Sequence, residues 1–178
     1  LVAKLGKSTL GLGYALVGSE LILGPVVPSN TARGGGILAP IVRALSEALG
    51  STPHENPRKA GEYLALVGAH ANLIAAAMFL TGMAANPLIA KAAKQVLDIE
   101  FTWGLWALGA LVPGLLGMLL LPLFFYVFAP PELKQSEAAQ VEAKRELGEM
   151  GRWTRNQTGM SLILAVMVCF WASKPLHH

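Results

Sequence analysis

The sequence predicts an all-α, multi-pass membrane protein that combines a re-entrant helical hairpin with a broken transmembrane helix. Three observations lead there. Of 178 residues, 53% are hydrophobic and 14% charged, with a mean hydropathy of +0.50, whereas soluble domains carry about 25% charged residues. Residues 101–128 form one apolar run long enough to cross a bilayer. Two further apolar stretches are interrupted by Pro, Gly, Asn and Thr, at residues 25–40 and 81–87.

Residues 1–50 read as the hairpin. Lys4 and Lys7 precede an apolar arm over 9–27, broken only by glycines, Ser19 and Glu20. The returning arm, 37–49, ends in Arg43, Ser46 and Glu47 and is too short to cross about 30 Å of hydrocarbon. Residues 50–59, GSTPHENPRK, have the composition of an aqueous loop. Residues 60–99 read as a helix with His70 and Asn72 in its apolar part, a break at 81–87, and a shorter continuation bearing Lys91, Lys94 and Asp98. In 101–128, Trp103 and Trp106 near one end and Tyr126 near the other suit interfacial anchors, and Pro113 and Pro122 are expected to kink this scaffold helix.

Residues 131–156 follow Pro130-Pro131 as a charged helix lying in solvent or on the membrane surface, capped by Ser136. Arg145 and Glu149 have ion-pair spacing, Glu142 and Glu146 repel at the same spacing, and Leu133, Val141, Leu147 and Met150 make a weak apolar stripe. Residues 158–178 begin a further span. With the hairpin returning, one side collects Lys4, Lys7, Arg58, Lys59, Lys134, Lys144, Arg145, Arg152 and Arg155, nine basic residues against Lys91, Lys94 and Lys174, three. That bias makes the first side cytoplasmic; a full crossing would weaken it to seven against five.

The net charge of +3 and pI near 9.2 therefore reflect cytoplasmic lysines and arginines. No basic stripe interleaved with aromatics points to nucleic acid. The lone Cys169 excludes an intrachain disulfide and a cysteine metal cluster and reads as a small buried hydrophobe. Leu1 is no initiator and the chain stops just after an apolar run, so both ends read as cut from something longer. His177-His178 reads as native sequence or a tag remnant.

The stretch 25–40, PVVPSNTARGGGILAP, places Ser29, Asn30, Thr31 and Arg33 between apolar runs. Irregular backbone in bulk lipid would leave polar groups unpaired at several kcal/mol each, so this stretch is buried in protein or lines a wet cavity. A helix starting near Ala32 would aim its unpaired amides at that spot, an arrangement suited to an anion. Gly34, Gly35 and Gly36 lack the preceding strand and the Gly-Lys-Ser/Thr ending of a phosphate loop; they are expected to permit close packing and hairpin flexing. His70 reads as a satisfied buried polar residue. Glu20 has Arg33 or Arg43 as candidate partners.

The triplet Ser29-Asn30-Thr31, with flanking prolines, Arg33 and the glycines, resembles the first of the paired Ser-Asn-Thr hairpins of the divalent anion/sodium symporter family. The string 6–14, GKSTLGLGY, through 28–33, PSNTAR, is most similar to its 2-oxoglutarate/malate and citrate/succinate exchangers, from bacterial inner membranes and plastid envelopes. The resemblance implies a dimeric inverted-repeat transporter, of which this chain covers the first-repeat hairpin and the helices after it, without the second hairpin. It implies that Asn30 and Thr31 hold a substrate carboxylate, while Ser29 and nearby backbone help form a cation site. Gly82 and Asn86, at the second break, are further candidates, giving Ser29, Asn30 and Gly82 as a possible sodium site. Pro25 stands where relatives carry a further hairpin serine, which disfavours sodium.

Arg33 is expected to supply a fixed positive charge in place of a bound sodium, leaving an empty carrier with an unpaired buried cation and so enforcing exchange. The rival is a salt bridge with Glu20. The expected activity is exchange of 2-oxoglutarate, malate, succinate or citrate by alternating access, with membrane lipid as surroundings and no cofactor, metal or nucleic acid. Sodium-coupled symport is the alternative. An intramembrane hydrolase built on Ser29, His70 and Glu20, or a structural module without a site, are the readings from other classes.

Overall fold

The computed structural model describes residues 1–149, 151 and 153–173, with side chains undescribed at 171 and 172. Met150, Arg152, Lys174 and the His177-His178 pair, which entered the sequence reading, lie outside the described residues. The described chain is helical, with α1 (Val2–Leu5), α2 (Thr9–Leu23), a π-helical segment (Ala32–Leu38) running into α3 (Ala39–Ala48), α4 (Gly61–Met78), α5 (Ala85–Leu97), α6 (Trp103–Phe128), α7 (Glu137–Glu149) and α8 (Arg155–Ala172).

The central element is α4, against which α2, α3 and α6 all pack. Its Leu64, Val67, Ala71 and Ala75 are fully buried and recur at helical spacing, meeting Leu12 and Leu16 of α2, Leu38 and Leu45 on the returning arm, and Met118 of α6. Two tyrosines tie the layers, because Tyr14 Oη donates to Leu119 O at 3.0 Å and Tyr63 Oη donates to Pro122 O at 3.2 Å. Gly13 is required there, since a Cβ at this position would overlap the Tyr63 hydroxyl.

Backbone pairing decides the hairpin. Ser136 N donates to Lys7 O at 3.0 Å, Thr9 N to Lys134 O at 3.1 Å, Glu132 N to Arg58 O at 3.0 Å and Leu133 N to Lys59 O at 2.9 Å. The chain before α2, the loop after α3 and the strand-like link after α6 therefore meet at one end. So α2 leaves that end, α3 returns to it, α4 leaves again and α6 returns. Lys7, Arg58, Lys59 and Lys134 share this end, as a returning hairpin requires.

Lengths agree with this path. The 15 residues of α2 give about 22 Å at 1.5 Å per residue, and the π-helical segment with α3, residues 32–48, at most about 26 Å, both short of about 30 Å of hydrocarbon. Among the described residues, α6 is the helix long and apolar enough to cross by itself, with 26 residues and only 17% of its most apolar window buried. It stays continuous through Pro113 and Pro122. Its exposed Leu108, Val112, Leu119 and Phe128 suit lipid or further membrane helices and would be a liability in water.

Several local expectations change. The break at the hairpin tip is narrower than the glycines suggested, because Gly34, Gly35 and Gly36 lie inside the π-helical segment. Close packing holds for Gly34, where a Cβ would come within 3.2 Å of Asn72 Oδ1, but Gly35 and Gly36 face open space. Ser136 precedes α7, yet its hydroxyl donates to Gly6 O at 2.7 Å, joining α7 to the N-terminal turn. Cys169 is exposed on α8, and α8 starts earlier than expected, where Thr154 and Gln157 form a capping box.

Candidate functional site

Ser29 caps the returning arm. Its Oγ accepts from Ala32 N at 3.2 Å and its carbonyl accepts Arg33 N at 3.0 Å, so the helix begins at Asn30. Asn30 and Thr31 thus occupy the first turn, where backbone amides have no intrahelical partner. Asn30 is half-buried and Thr31 exposed. Among the described residues, the side chains of Ser46, Ser51 and Asn72 nearby are hydrogen-bonded, whereas those of Asn30 and Thr31 make no intrachain hydrogen bond.

Both open on a cavity of about 750 Å³ between the returning arm and α4. One wall is Gly34, Gly35, Leu38, Ala39 and Val42; the other is Gly61, Ala65, Gly68, Ala69 and Asn72. Because the two arms run in opposite directions, the cavity leads from Asn30, Thr31 and Asn72 toward the loop containing Ser51 and Pro57, at the basic end of the molecule. Its walls are small and apolar, so its polarity concentrates at the tip and at the mouth, where Arg43 bonds Glu47 at 2.8 Å on the surface.

Arg33 lies behind this cavity, fully buried. Its Nε donates to Glu20 Oε2 at 3.1 Å, and its Nη1 donates to Val27 O at 2.6 Å and Gly82 O at 3.1 Å. Asn72 Nδ2 donates to the same Glu20 oxygen at 3.2 Å. The guanidinium therefore fastens the hairpin tip to the second break, and it is not among the cavity-lining residues. The expected unpaired cation is replaced by an ion pair: a buried guanidinium without a counter-ion carries a desolvation cost that Glu20, 13 residues earlier, offsets. Among the described residues, Arg33 Nη2 and Glu20 Oε1 are the buried side-chain polar atoms without a partner.

The second break is closed by side chains. Asn86 Nδ2 donates to Ala76 O at 2.7 Å and Phe79 O at 2.8 Å. Trp106 Nε1 reaches Ala77 O at 2.9 Å and Trp103 Nε1 reaches Thr81 Oγ1 at 3.1 Å. Asn86 and Trp106 satisfy carbonyls orphaned where α4 ends, and Trp103 bonds a hydroxyl inside the break. Asn86, expected beside the substrate, is buried at the break with its amide nitrogen engaged and lies off the cavity. Of the three sodium-site candidates, Ser29 Oγ accepts from an amide, Gly82 O accepts from Arg33, and only Asn30 keeps its side chain free.

The hydrolase arrangement does not assemble. Glu20 bonds Arg33 and Asn72, Ser29 bonds Ala32 N, and His70 Nδ1 bonds Leu66 O at 2.8 Å beside the Phe125 ring. His70 is exposed in this chain, not buried as expected. Asn72 is the residue that sequence reading passed over. Its signal was an amide inside an apolar helix, but only packing shows that it touches both the cavity and the hidden ion pair.

The profile of the family described as sodium:sulfate symporter transmembrane region matches residues 1–177. The chain belongs to this family. It is an integral membrane segment of that transmembrane region. Over 171 residues it is 47% identical to the "Putative malate transporter YflS" of Bacillus subtilis, covering 96% of this chain and 36% of that protein. It is 43% identical over 171 residues to dicarboxylate transporter 1, chloroplastic, of Spinacia oleracea, covering 96% and 30%. It is 40% identical over 172 residues to an L-tartrate/succinate antiporter of Escherichia coli, covering 96% and 35%. The chain thus spans about a third of the length of these relatives, and all three carry transporter names.

Proposed function

We propose that the full-length protein to which this chain belongs exchanges di- or tricarboxylates such as malate, succinate, 2-oxoglutarate or citrate by alternating access, in a bacterial inner membrane or plastid inner envelope. The observation that carries this reading is the first helical turn at Asn30 and Thr31. Neutral donors without intrachain partners open there on a cavity of about 750 Å³, large enough for a small anion. An amide, a hydroxyl and free backbone N–H groups hold a carboxylate without binding it as tightly as a fixed charge would, which suits a solute that must leave. The relatives' names, malate, dicarboxylate and tartrate/succinate, agree with that chemistry.

Exchange is favoured over sodium coupling by the oxygens that Arg33 engages. Unwound backbone carbonyls are the usual ligands of a coupling cation, and here Val27 O and Gly82 O accept from Nη1. Arg33 thus engages carbonyls that a coupling cation would otherwise use. Because Glu20 neutralises it, this pair does not hold back the empty carrier; the expectation of obligatory exchange rests on the antiporter name of the Escherichia coli relative. The remaining two thirds of the protein are expected to supply a second hairpin and a dimer interface, with α6 on the scaffold side and the hairpin moving past it.

Counterflow of labelled L-malate in proteoliposomes tests the reading on the full-length protein. Uptake that needs internal dicarboxylate, proceeds without sodium and is abolished by Asn30→Ala is expected. Uptake that requires sodium and no internal anion would replace exchange with symport.

A further inference from the structure

Asn72 touches the candidate cavity with one end of its amide and Glu20 with the other, and the two ends are chemically different. A carboxylate oxygen facing a buried Arg33 accepts and does not donate, so the group that Asn72 turns to Glu20 Oε2, at 3.2 Å, is its NH2. The carbonyl is then the end left for the cavity. Oδ1 is also the amide atom nearest the returning arm, because a Cβ on Gly34 would lie 3.2 Å from Oδ1 and 3.5 Å from Nδ2. Asn30, Thr31 and Gly34 all line the same cavity. Oδ1 therefore stands as a fixed acceptor beside two donors, on a side chain that is only 7% exposed and lines the same cavity end.

We propose that Asn72 is a specificity-determining residue that accepts a hydrogen bond from the hydroxyl of a 2-hydroxy dicarboxylate whose adjacent carboxylate is held by Asn30 and Thr31. The inference rests on the anion site described above and adds the substrate class that site prefers. A bare acceptor opposes a second carboxylate or a 2-oxo group, and opposite a methylene it is left unpaired, which costs binding. A hydroxyl alone both fits and donates. Glu20 has a positioning role here: through its contact with Nδ2 it fixes which end of the amide meets the substrate, and Arg33 in turn holds Glu20 in place.

Competition binding on the full-length protein in detergent, using L-malate and succinate, separates this from its premise. The unaltered protein is expected to prefer L-malate, and Asn72→Ala to lower that preference about three- to tenfold by weakening malate and, with the unpaired acceptor gone, leaving succinate unchanged or slightly tighter. The ratio is taken within one sample, so a smaller folded fraction does not alter it. An unchanged ratio in Asn72→Ala overturns the inference, while weakening of both anions by Asn30→Ala keeps the site reading intact. If Asn30→Ala leaves both affinities unchanged, it is the site reading that fails. Should Asn72→Ala not fold, 2-methoxysuccinate replaces the variant. Its ether oxygen cannot donate, so it is expected to bind the unaltered protein no more tightly than succinate, and binding as tight as L-malate overturns the inference.

Discussion

Arg33 and Glu20 show how one residue pair shapes the tip. Both side chains are fully buried, and removing one partner of such a pair leaves a stranded charge, at about 3–5 kcal/mol. Arg33→Ala and Glu20→Ala are each expected to lower the melting temperature of the full-length protein strongly. The double variant should lose less than the sum, because no charge remains stranded; additive losses would mean that the pair does not interact. Asn86 gives the contrasting case. Asn86→Ala frees Ala76 O and Phe79 O and is expected to cost about 1–3 kcal/mol in thermal denaturation while leaving malate affinity per folded protein unchanged. The sequence places Arg33 and Glu20 together among alternatives, but it cannot select between Arg33 and Arg43 for Glu20. That selection depends on depth along the returning arm, since Arg33 packs at the tip beside Glu20 whereas Arg43 lies at the mouth, paired on the surface with Glu47.

At the scale of elements, the broken helices are legible because Pro, Gly and Asn seldom cluster inside an apolar run unless the helix is interrupted there. The glycines mislead on the width of the first break, since they permit a helix as readily as a loop when neighbouring carbonyls find partners. The contact between α2 and α4 is sensitive in a different way. Gly13→Val would drive its side chain into Tyr63 and Pro122, and overpacking of this kind costs about 1–3 kcal/mol, measurable as a loss of thermal stability. Outside the membrane, Arg145 of α7 bonds Glu142, Glu146 and Glu149. The expected repulsion between Glu142 and Glu146 is thus bridged by a shared cation. This contact holds the Glu142 carboxyl below its ordinary range, so its contribution to α7 is present above the ordinary carboxylate pKa. It fades as pH falls through the lowered one. Amide hydrogen exchange in α7, corrected for the intrinsic effect of pH, is expected to speed up modestly once the pH falls below the ordinary carboxylate pKa; protection that rises instead would contradict the assignment.

For the whole molecule, charge bias and packing give the same path by independent means. Counting basic residues puts Lys7, Arg58, Lys59 and Lys134 on one side, and backbone pairing of Ser136, Thr9, Glu132 and Leu133 brings their chain segments together. Cysteines at Lys7, Arg58 and Lys134 should therefore react with an impermeant maleimide from the cytoplasmic side alone. What the sequence could not convey is the cavity itself, because its walls are Gly and Ala on two segments about 30 residues apart, and absence of side-chain bulk leaves no local signature. The central claim is that an anion lodges at the hairpin tip, and Gly35 offers the most direct probe, since it lines that cavity with open space beside it. In a full-length protein otherwise lacking cysteine, Gly35→Cys retains malate counterflow and its labelling by maleimide is slowed by saturating malate. Labelling at an unchanged rate, in a variant that still exchanges malate, would contradict the account.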